Sequence, residues 1–347
     1  MKAVRWHGPR DMRVVEIPKP VPAAGEVLLR VESVGVCGSD IHYYLEGRIG
    51  SQVLTEPIIL GHEFAGIVES VGAGANPALL GRRVAVEPGT PCHECESCRR
   101  GHYNVCLAMR FPGGPGCEGA LCEYMAVRAD ACFPVPDSLD APMAALIEPV
   151  AVALHTVELA RLSPGDTVAV IGLGSIGLMA AQIASHSGAS IVYGADLLPY
   201  RVAAASRYGV AEAFASASGD ATGEVVERIW TATGGRGVDV ALDCTNTPSG
   251  VGIACRVARP GGRCVLTGIS GQDWDPLPVS VVRRRELNLQ WCRRFCHNFP
   301  AAIAMVAAGK VDIRGLLTHS FPLEQTRDAF ELVAASADNV LKASIDQ

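Results

Sequence analysis

Between Thr167 and Ala195 the chain carries no Asp, Glu, Lys or Arg. A run this long and uncharged is either a membrane span or a stretch of buried core. Gly172, Gly174, Gly177 and Gly188 interrupt it, as do the polar residues Gln182, Ser185, His186 and Ser187. That pattern fits a buried strand, turn, helix and second strand better than one lipid-embedded helix. It predicts a strand over 167–171, a helix to about 187 and a strand over 191–195.

The alternation continues downstream. Helices are expected over 199–208, 225–232 and 251–258, and strands over 238–243, 264–268 and 286–291. Strand and helix alternating at this spacing make βαβ units, hence a parallel sheet with helices on both faces. Amphipathic helices over 300–308 and 323–334 follow the last strand. The first 150 residues have another texture, with strand-like runs at 13–17, 26–36, 64–71 and 83–86 separated by Gly and Pro. That is the pattern of a small, irregular β barrel. A chain of 347 residues has room for two such domains.

Charge narrows the function. Lys and Arg number 30 against 36 Asp and Glu, for a net charge of −6. A mildly acidic chain without clustered cations is a poor nucleic-acid binder. Its one tight basic run, Arg283, Arg284 and Arg285, reads as solvated or ion-paired surface. Residues Met1 to Arg10 hold charges and a Pro but no apolar stretch, so no export signal, no membrane association and a cytoplasmic location are expected. Without an oxidising compartment, thirteen cysteines point to metal ligation before disulfides.

Gly172-Leu-Gly174-Ser175-Ile176-Gly177 follows the 167–171 strand and opens the helix, as a dinucleotide-binding turn does. The first glycine allows a tight turn, the second lets amides approach a pyrophosphate, and the third lets helix pack on strand. The helix N-terminus then offers free N–H groups to the anion. The second strand ends in Asp196, 19 residues after Gly177, where a carboxylate accepts bonds from ribose hydroxyls and repels a 2′-phosphate. NAD is therefore expected over NADP. Arg201, nearby, is a cation that could meet the coenzyme or simply belong to its helix.

Cys92, Cys95, Cys98 and Cys106 have the spacing C-x2-C-x2-C-x7-C. Four thiolates on one loop suit a closed tetrahedral zinc site that orders the loop; free thiols or a [4Fe–4S] ligand set are the alternatives. His93 and His102 stand beside a shell already full. Cys37, His62 and Glu63 form a dispersed second set. One thiolate, one imidazole and one carboxylate leave an open coordination position, the mark of a catalytic zinc. Taken singly, each has an ordinary reading, such as a small core thiol or a hydrogen-bonded imidazole.

These motifs in this order resemble the zinc-dependent medium-chain dehydrogenase/reductase superfamily along nearly the whole chain. Cys37-Gly-Ser-Asp-Ile-His-Tyr-Tyr44, Glu46-Gly-Arg-Ile-Gly50, Gly61-His-Glu63, Glu87-Pro-Gly89, Leu146-Ile-Glu-Pro149 and Arg294-Phe-Cys-His-Asn-Phe-Pro300 look like its polyol branch, the sorbitol and xylitol dehydrogenases. The resemblance implies a GroES-like irregular β-barrel catalytic domain, residues 1–152 and 292–347, with a zinc loop over 88–110. It also implies a Rossmann domain, with a doubly wound parallel sheet, over 153–291.

By the same resemblance, Cys37, His62 and Glu63 hold a catalytic zinc with a water. Glu148 bonds that water or exchanges with Glu63, and Asp40 orients His62. Ser39 and His42 match proton-relay positions, and Tyr43, Phe111, Arg294 and Phe295 line the substrate cleft, expected between the two domains. The coenzyme lies on Gly172, Gly174, Ser175, Ile176, Gly177, Asp196 and Arg201. Two features depart from the common pattern. Phe295 stands where a Tyr is frequent, and the four-cysteine loop is complete where animal sorbitol dehydrogenases often lack it. His155, His186, His297 and His319 fit no motif and read as structural.

The expected activity is NAD-dependent oxidation of a polyol to a ketose, with two zinc ions per chain, in a dimer or tetramer. L-idonate 5-dehydrogenase and L-threonine 3-dehydrogenase share the same residue set and are the alternatives. A non-enzymatic scaffold fits less well, because Cys37, His62 and Glu63 are all retained.

Overall fold

Residues 26–35 form a long, largely buried strand with other strands along both its edges. It belongs to a computed structural model that describes residues 1–215 and 222–347. The described chain divides into two units. One comprises residues 1–149, 296–308 and 313–347, and the other residues 150–295 and 309–312.

The first unit begins with the antiparallel pair β1 (Lys2–Gly8) and β2 (Asp11–Glu16). It continues through β3 (Glu26–Gly35), α1 (Gly38–Glu46), β4 (Arg48–Ile49), β5 (Gln52–Val53), β6 (Ile58–Ile59) and β7 (Glu63–Val71). Next come β8 (Arg83–Val86), α2 (Glu96–Arg99), β9 (Tyr124–Arg128), β10 (Cys132–Pro134), α3 (Ala141–Ala145) and the start of α4 (Ile147–Ala160). The β3–β7 register slips at Leu28/Leu29 and at Val31/Ser33, and such bulges bend and twist a strand. They curl the sheet β10-β8-β7-β3 into an irregular barrel.

The second unit is the expected doubly wound sheet. Its elements are β11 (Thr167–Ile171), α5 (Ser175–His186), β12 (Ile191–Asp196), α6 (Pro199–Ala204), β13 (Glu212–Ala215), α7 (Thr222–Ala232), β14 (Val238–Asp243), α8 (Pro248–Val257), β15 (Ala258–Leu266), α9 (Val279–Arg285) and β16 (Asn288–Trp291). All six strands are parallel, in the order β13-β12-β11-β14-β15-β16. The direction of winding reverses between β11 and β14, and ligands of such sheets bind outside the carboxyl ends at that point. The uncharged run of the sequence is thus β11, α5 and β12, with α5 buried from Gly177 to Ala184.

The chain then returns to the first unit. There α10 (Phe299–Ala307), β17 (Leu317–Pro322), α11 (Thr326–Ala334) and β18 (Lys342–Asp346) complete it. Strand β18 pairs antiparallel with β3, setting Ser344 opposite Gly35. The C-terminal strand is therefore laid against the end of β3, next to Cys37.

Three expected elements differ in detail. The 199–208 helix splits into α6 and a 3-10 turn, Ala205–Tyr208, that ends at Gly209. The 323–334 helix likewise begins with a 3-10 turn, Leu323–Gln325. Strand β15 starts at Ala258 rather than at 264, because Ala258 already pairs with Val238. Residues 259–262 then bulge opposite the single Asp239 before pairing resumes at Arg263. The run Ala141–Ala160, covering α3 and α4, is long and apolar enough to cross a membrane, but 67% of its most apolar window is buried within the protein. Burial of that kind is ordinary for a core helix.

In the barrel core, Tyr44 and Phe330 are fully buried and meet edge to face at 5.4 Å. Replacing Phe330 with Ala should lower unfolding stability by about 3–5 kcal/mol, read as a shift of the denaturation midpoint. Val21→Ala, at a side chain 86% exposed, should change it by less than about 0.5 kcal/mol.

Candidate metal centres and dinucleotide site

Strand β3 ends at Gly35 and the chain turns through Val36 into Cys37, which is the N-cap of α1. Gly35 pairs with Glu63, the first residue of β7. A Cβ at Gly35 would stand 2.1 Å from Glu63 Oε2, so the glycine is a cradle for that carboxylate. Cys37, His62 and Glu63 are thereby brought together, their ligand atoms all within 4.8 Å of one another. Tetrahedral zinc with bonds of about 2.0–2.3 Å spaces its donors roughly 3.3–3.8 Å apart, so the cluster is placed to close around one ion.

The surroundings favour a cation. Asp40, buried on α1, lies 3.3 Å from His62 Nδ1 and accepts the N–H groups of Cys37 and Gly61, each at 3.4 Å. That leaves His62 Nε2 facing the cluster. Burial alone would depress the basicity of His62, but the negative charges of Asp40 and Cys37 outweigh it and hold it well above its ordinary range. Ser39 donates its hydroxyl hydrogen to Cys37 Sγ at 3.2 Å and lies 3.5 Å from His62 Nε2. Phe111 packs against His62 with ring centroids 5.1 Å apart.

The sequence reading had no place for Lys342. Its buried ammonium donates to Val36 O at 2.9 Å and to Glu63 Oε1 at 2.8 Å, and lies 2.6 Å from Glu63 Oε2. Oε2 meets only that ammonium, and a carboxylate oxygen with a single such contact keeps a lone pair for an ion. Burial works against the charge on Lys342, and Glu63, Cys37 and Glu148 more than restore it. Glu148 is buried in the first turn of α4. A lysine within a strand otherwise buried from Lys342 to Ile345 was the available signal, but its partner is 279 residues away.

Cys92, Cys95, Cys98 and Cys106 converge as closely. Cys92 Sγ lies 3.4 Å from Cys106 Sγ and 4.0 Å from Cys98 Sγ. Four thiolates around zinc at about 2.3 Å stand roughly 3.8 Å apart, so the set fits a tetrahedral ion. Main-chain N–H groups of Glu94 and Cys95 hold the Cys92 thiol below its ordinary range, and that of Cys98 acts likewise on Cys95. His93 and His102 are exposed beside the loop.

In the second unit, Gly172 has φ +92° and Gly174 caps α5, whose first turn carries no carboxylate. A Cβ at Gly177 would fall 1.9 Å from Gly172 O, so only glycine lets the turn close over the helix. The first-turn amides at Ser175, Ile176 and Gly177 are open to an anion. Asp196 ends β12; its Oδ2 accepts Leu173 N–H at 2.7 Å and its Oδ1 accepts Leu198 N–H at 2.9 Å. Arg201 NH1 lies 3.6 Å from Asp196 Oδ2 and 3.6 Å from where a Gly174 Cβ would stand. One carboxylate thus ties the glycine turn to the residue that caps α6, with Arg201 beside it.

The remaining expected residues are more scattered. His42 Nδ1 lies 3.9 Å from Glu46, and the buried Tyr43 donates to Gln52 at 3.3 Å. Arg294 has φ +57° and Phe295 is buried, in the second unit.

Residues 23–137 match the alcohol dehydrogenase GroES-like domain, and residues 175–308 match the zinc-binding dehydrogenase family. The sorbitol dehydrogenase of Bacillus subtilis is 39% identical over 99% of this chain and 97% of its own. The chain belongs to the zinc-dependent medium-chain dehydrogenases. Their polyol branch is where its relatives lie, as the motifs implied. Two solved structures share this dehydrogenase fold. One is an Escherichia coli short chain alcohol dehydrogenase complexed with NADH, 28% identical with a TM-score of 0.90, covering 100% of this chain and 99% of that one. The other is L-idonate 5-dehydrogenase from Escherichia coli, 25% identical with a TM-score of 0.86, covering 100% and 98%. The dehydrogenase uses zinc and a nicotinamide coenzyme.

In this dehydrogenase, Gly177→Ala should weaken NADH binding by about tenfold or more, measured by quenching of intrinsic fluorescence, with secondary structure unchanged.

Proposed function

We propose that the chain oxidises a secondary hydroxyl of a polyol such as sorbitol or xylitol to a ketose, with hydride transfer to NAD. The observation that carries this reading is the convergence of Cys37, His62 and Glu63 in a barrel that cradles the carboxylate at Gly35. Identity of 39% to a sorbitol dehydrogenase supports the substrate class.

Zinc held there would supply Lewis acidity, lowering the pKa of a substrate hydroxyl, and NAD would accept the hydride. The chain's residues do the rest. Asp40 sets the tautomer of His62 by engaging Nδ1, leaving Nε2 as donor atom. Lys342 pairs with both oxygens of Glu63 and holds its carboxylate in place. Ser39, within 3.5 Å of both Cys37 and His62, is the first acceptor for the proton leaving the substrate hydroxyl. His42 lies three residues on along α1, on the same side of the helix, and relays that proton outward. Glu148, a buried carboxylate whose charge acts on Lys342, would bond a water held at the cluster or exchange with Glu63 as donor. Tyr43, Phe111, Arg294 and Phe295 are the residues that the resemblance assigns to the substrate. Cys92, Cys95, Cys98 and Cys106 would hold a second zinc, which would order their loop. Asp196 disfavours a 2′-phosphate; Arg201, 3.6 Å away, is engaged by that carboxylate.

The deciding experiment is a panel of sorbitol, xylitol, arabitol, galactitol, L-idonate and L-threonine, monitored for NADH formation with and without a chelator. Chelator-sensitive turnover of a polyol is expected. Preference for idonate, with strong dependence on Arg294, would overturn the polyol assignment. Cys37→Ser should reduce turnover by at least about 10³-fold while circular dichroism is unchanged and bound zinc falls from two to one per chain. Normal activity in that variant would defeat the catalytic role of the cluster. With NADP in place of NAD, kcat/KM should fall by at least about tenfold, in line with charge repulsion at Asp196.

A further inference from the structure

The segment 292–298 joins the last strand of the parallel sheet to α10. At its start, Cys292 N–H donates to Leu266 O at 2.9 Å and Thr156 Oγ1 lies 3.5 Å from Cys292 Sγ. At its end, Cys296 and His297 are gripped by the four-cysteine loop. Cys296 Sγ lies 3.2 Å from Gly101 O, and His297 Nε2 lies 2.9 Å from the same oxygen. His297 N–H donates to the Tyr103 hydroxyl at 2.8 Å, and the two rings meet edge to face at 4.6 Å. The Tyr103 hydroxyl in turn bonds Glu87, the carboxylate just after β8. Gly101 and Tyr103 both lie in the spacer between the ligands Cys98 and Cys106.

Two residues of the segment, Arg294 (φ +57°) and His297 (φ +59°), adopt left-handed backbone without being glycine. Side-chain-bearing residues hold that conformation where the surroundings impose it, and such residues gather at binding sites. At His297 the surroundings are Gly101 and Tyr103. Between the two strained residues lies Phe295, with Arg294 before it.

We propose that Gly101 and Tyr103 make the four-cysteine loop a positioning device for the substrate. By holding His297 and Cys296, they set the backbone that presents Arg294 and Phe295. The loop is then not only a local staple, and His297 is a positioning residue. This rests on the reading that Arg294 and Phe295 line the polyol pocket.

The test uses the holoenzyme and whichever of sorbitol, xylitol, arabitol and galactitol is turned over fastest. Tyr103→Phe keeps the ring contact and removes only the hydroxyl that receives His297 N–H. It should raise the KM for the polyol about fivefold, with kcat and the KM for NAD within twofold and zinc content unchanged. His297→Ala should raise the polyol KM at least as much. His297→Asn, which tolerates left-handed backbone and keeps a polar side chain, should recover part of the loss. Arg294→Ala tests the underlying reading and should raise the same KM. If Arg294→Ala raises it while Tyr103→Phe and His297→Ala leave it unchanged, the positioning role is overturned. It is also overturned if Tyr103→Phe strips zinc, lowers the melting temperature and shifts both KM values together, the signature of a purely structural contact. An unchanged KM in Arg294→Ala overturns the substrate assignment of the segment, and the proposal with it.

Discussion

A buried ion pair organises the barrel. Glu63 and Lys342 are 1% and 4% exposed at their side chains, and neither charge is stable there without the other. Removing one partner of such a pair typically costs about 3–5 kcal/mol, because the survivor is left desolvated and uncompensated. The pair exists only because β18, at the end of the chain, lies against β3, whose last residue is the glycine that makes room for Glu63. Cys37 follows two residues later, and His62 precedes Glu63 directly. The pairing of β3 with β7 therefore assembles the donor set, and the pairing of β18 with β3 supplies its counter-charge.

The two candidate metal centres solve the same problem in different ways. The four-cysteine loop draws its ligands from 15 consecutive residues, 92–106, and needs little beyond its own turns and amides. The Cys37 cluster draws its donors from two chain segments, the turn between β3 and α1 and the start of β7, and its counter-charge from a third, β18. Its donors sit among buried charges whose balance depends on every contributor: Asp40 on His62, Lys342 on Glu63, and Glu148 near Lys342. A local set is suited to hold metal and shape; a dispersed one can leave a position open and be tuned from several sides.

Legibility in the sequence followed the range of the interactions. The strands β8, β11 and β14 were readable to the residue, since each is a short, mostly apolar run bounded by turn residues or helix. Strand β13 is four residues, Glu-Ala-Phe-Ala, too short and too weakly β-branched to stand out. Strand β17 alternates half-buried and exposed positions but contains Thr, His and a terminal Pro, which blur the pattern. The bulge at 259–262 depends on pairing with β14, so the Gly261–Gly262 turn alone placed the start of β15 too late. The glycine turn, the end of β12 at Asp196 and the convergence of the four cysteines were legible because spacing carries their geometry. The histidines without a motif were legible only as structural, and for His297 the structure adds a specific grip on Gly101 and Tyr103.

Sequence alone determined the parts whose chemistry is local: a parallel βαβ sheet, a turn at a helix start that must be glycine, and a loop of four converging cysteines. Each follows from residue type and periodicity over a few turns of backbone. Tertiary structure decided what stands beside what. It put Lys342 on Glu63 across 279 residues, made Gly35 a cradle, and bound His297 to the spacer of the cysteine loop. Such contacts are set by strand order and register, which sum the packing of the whole chain, and no short window of residues carries that sum.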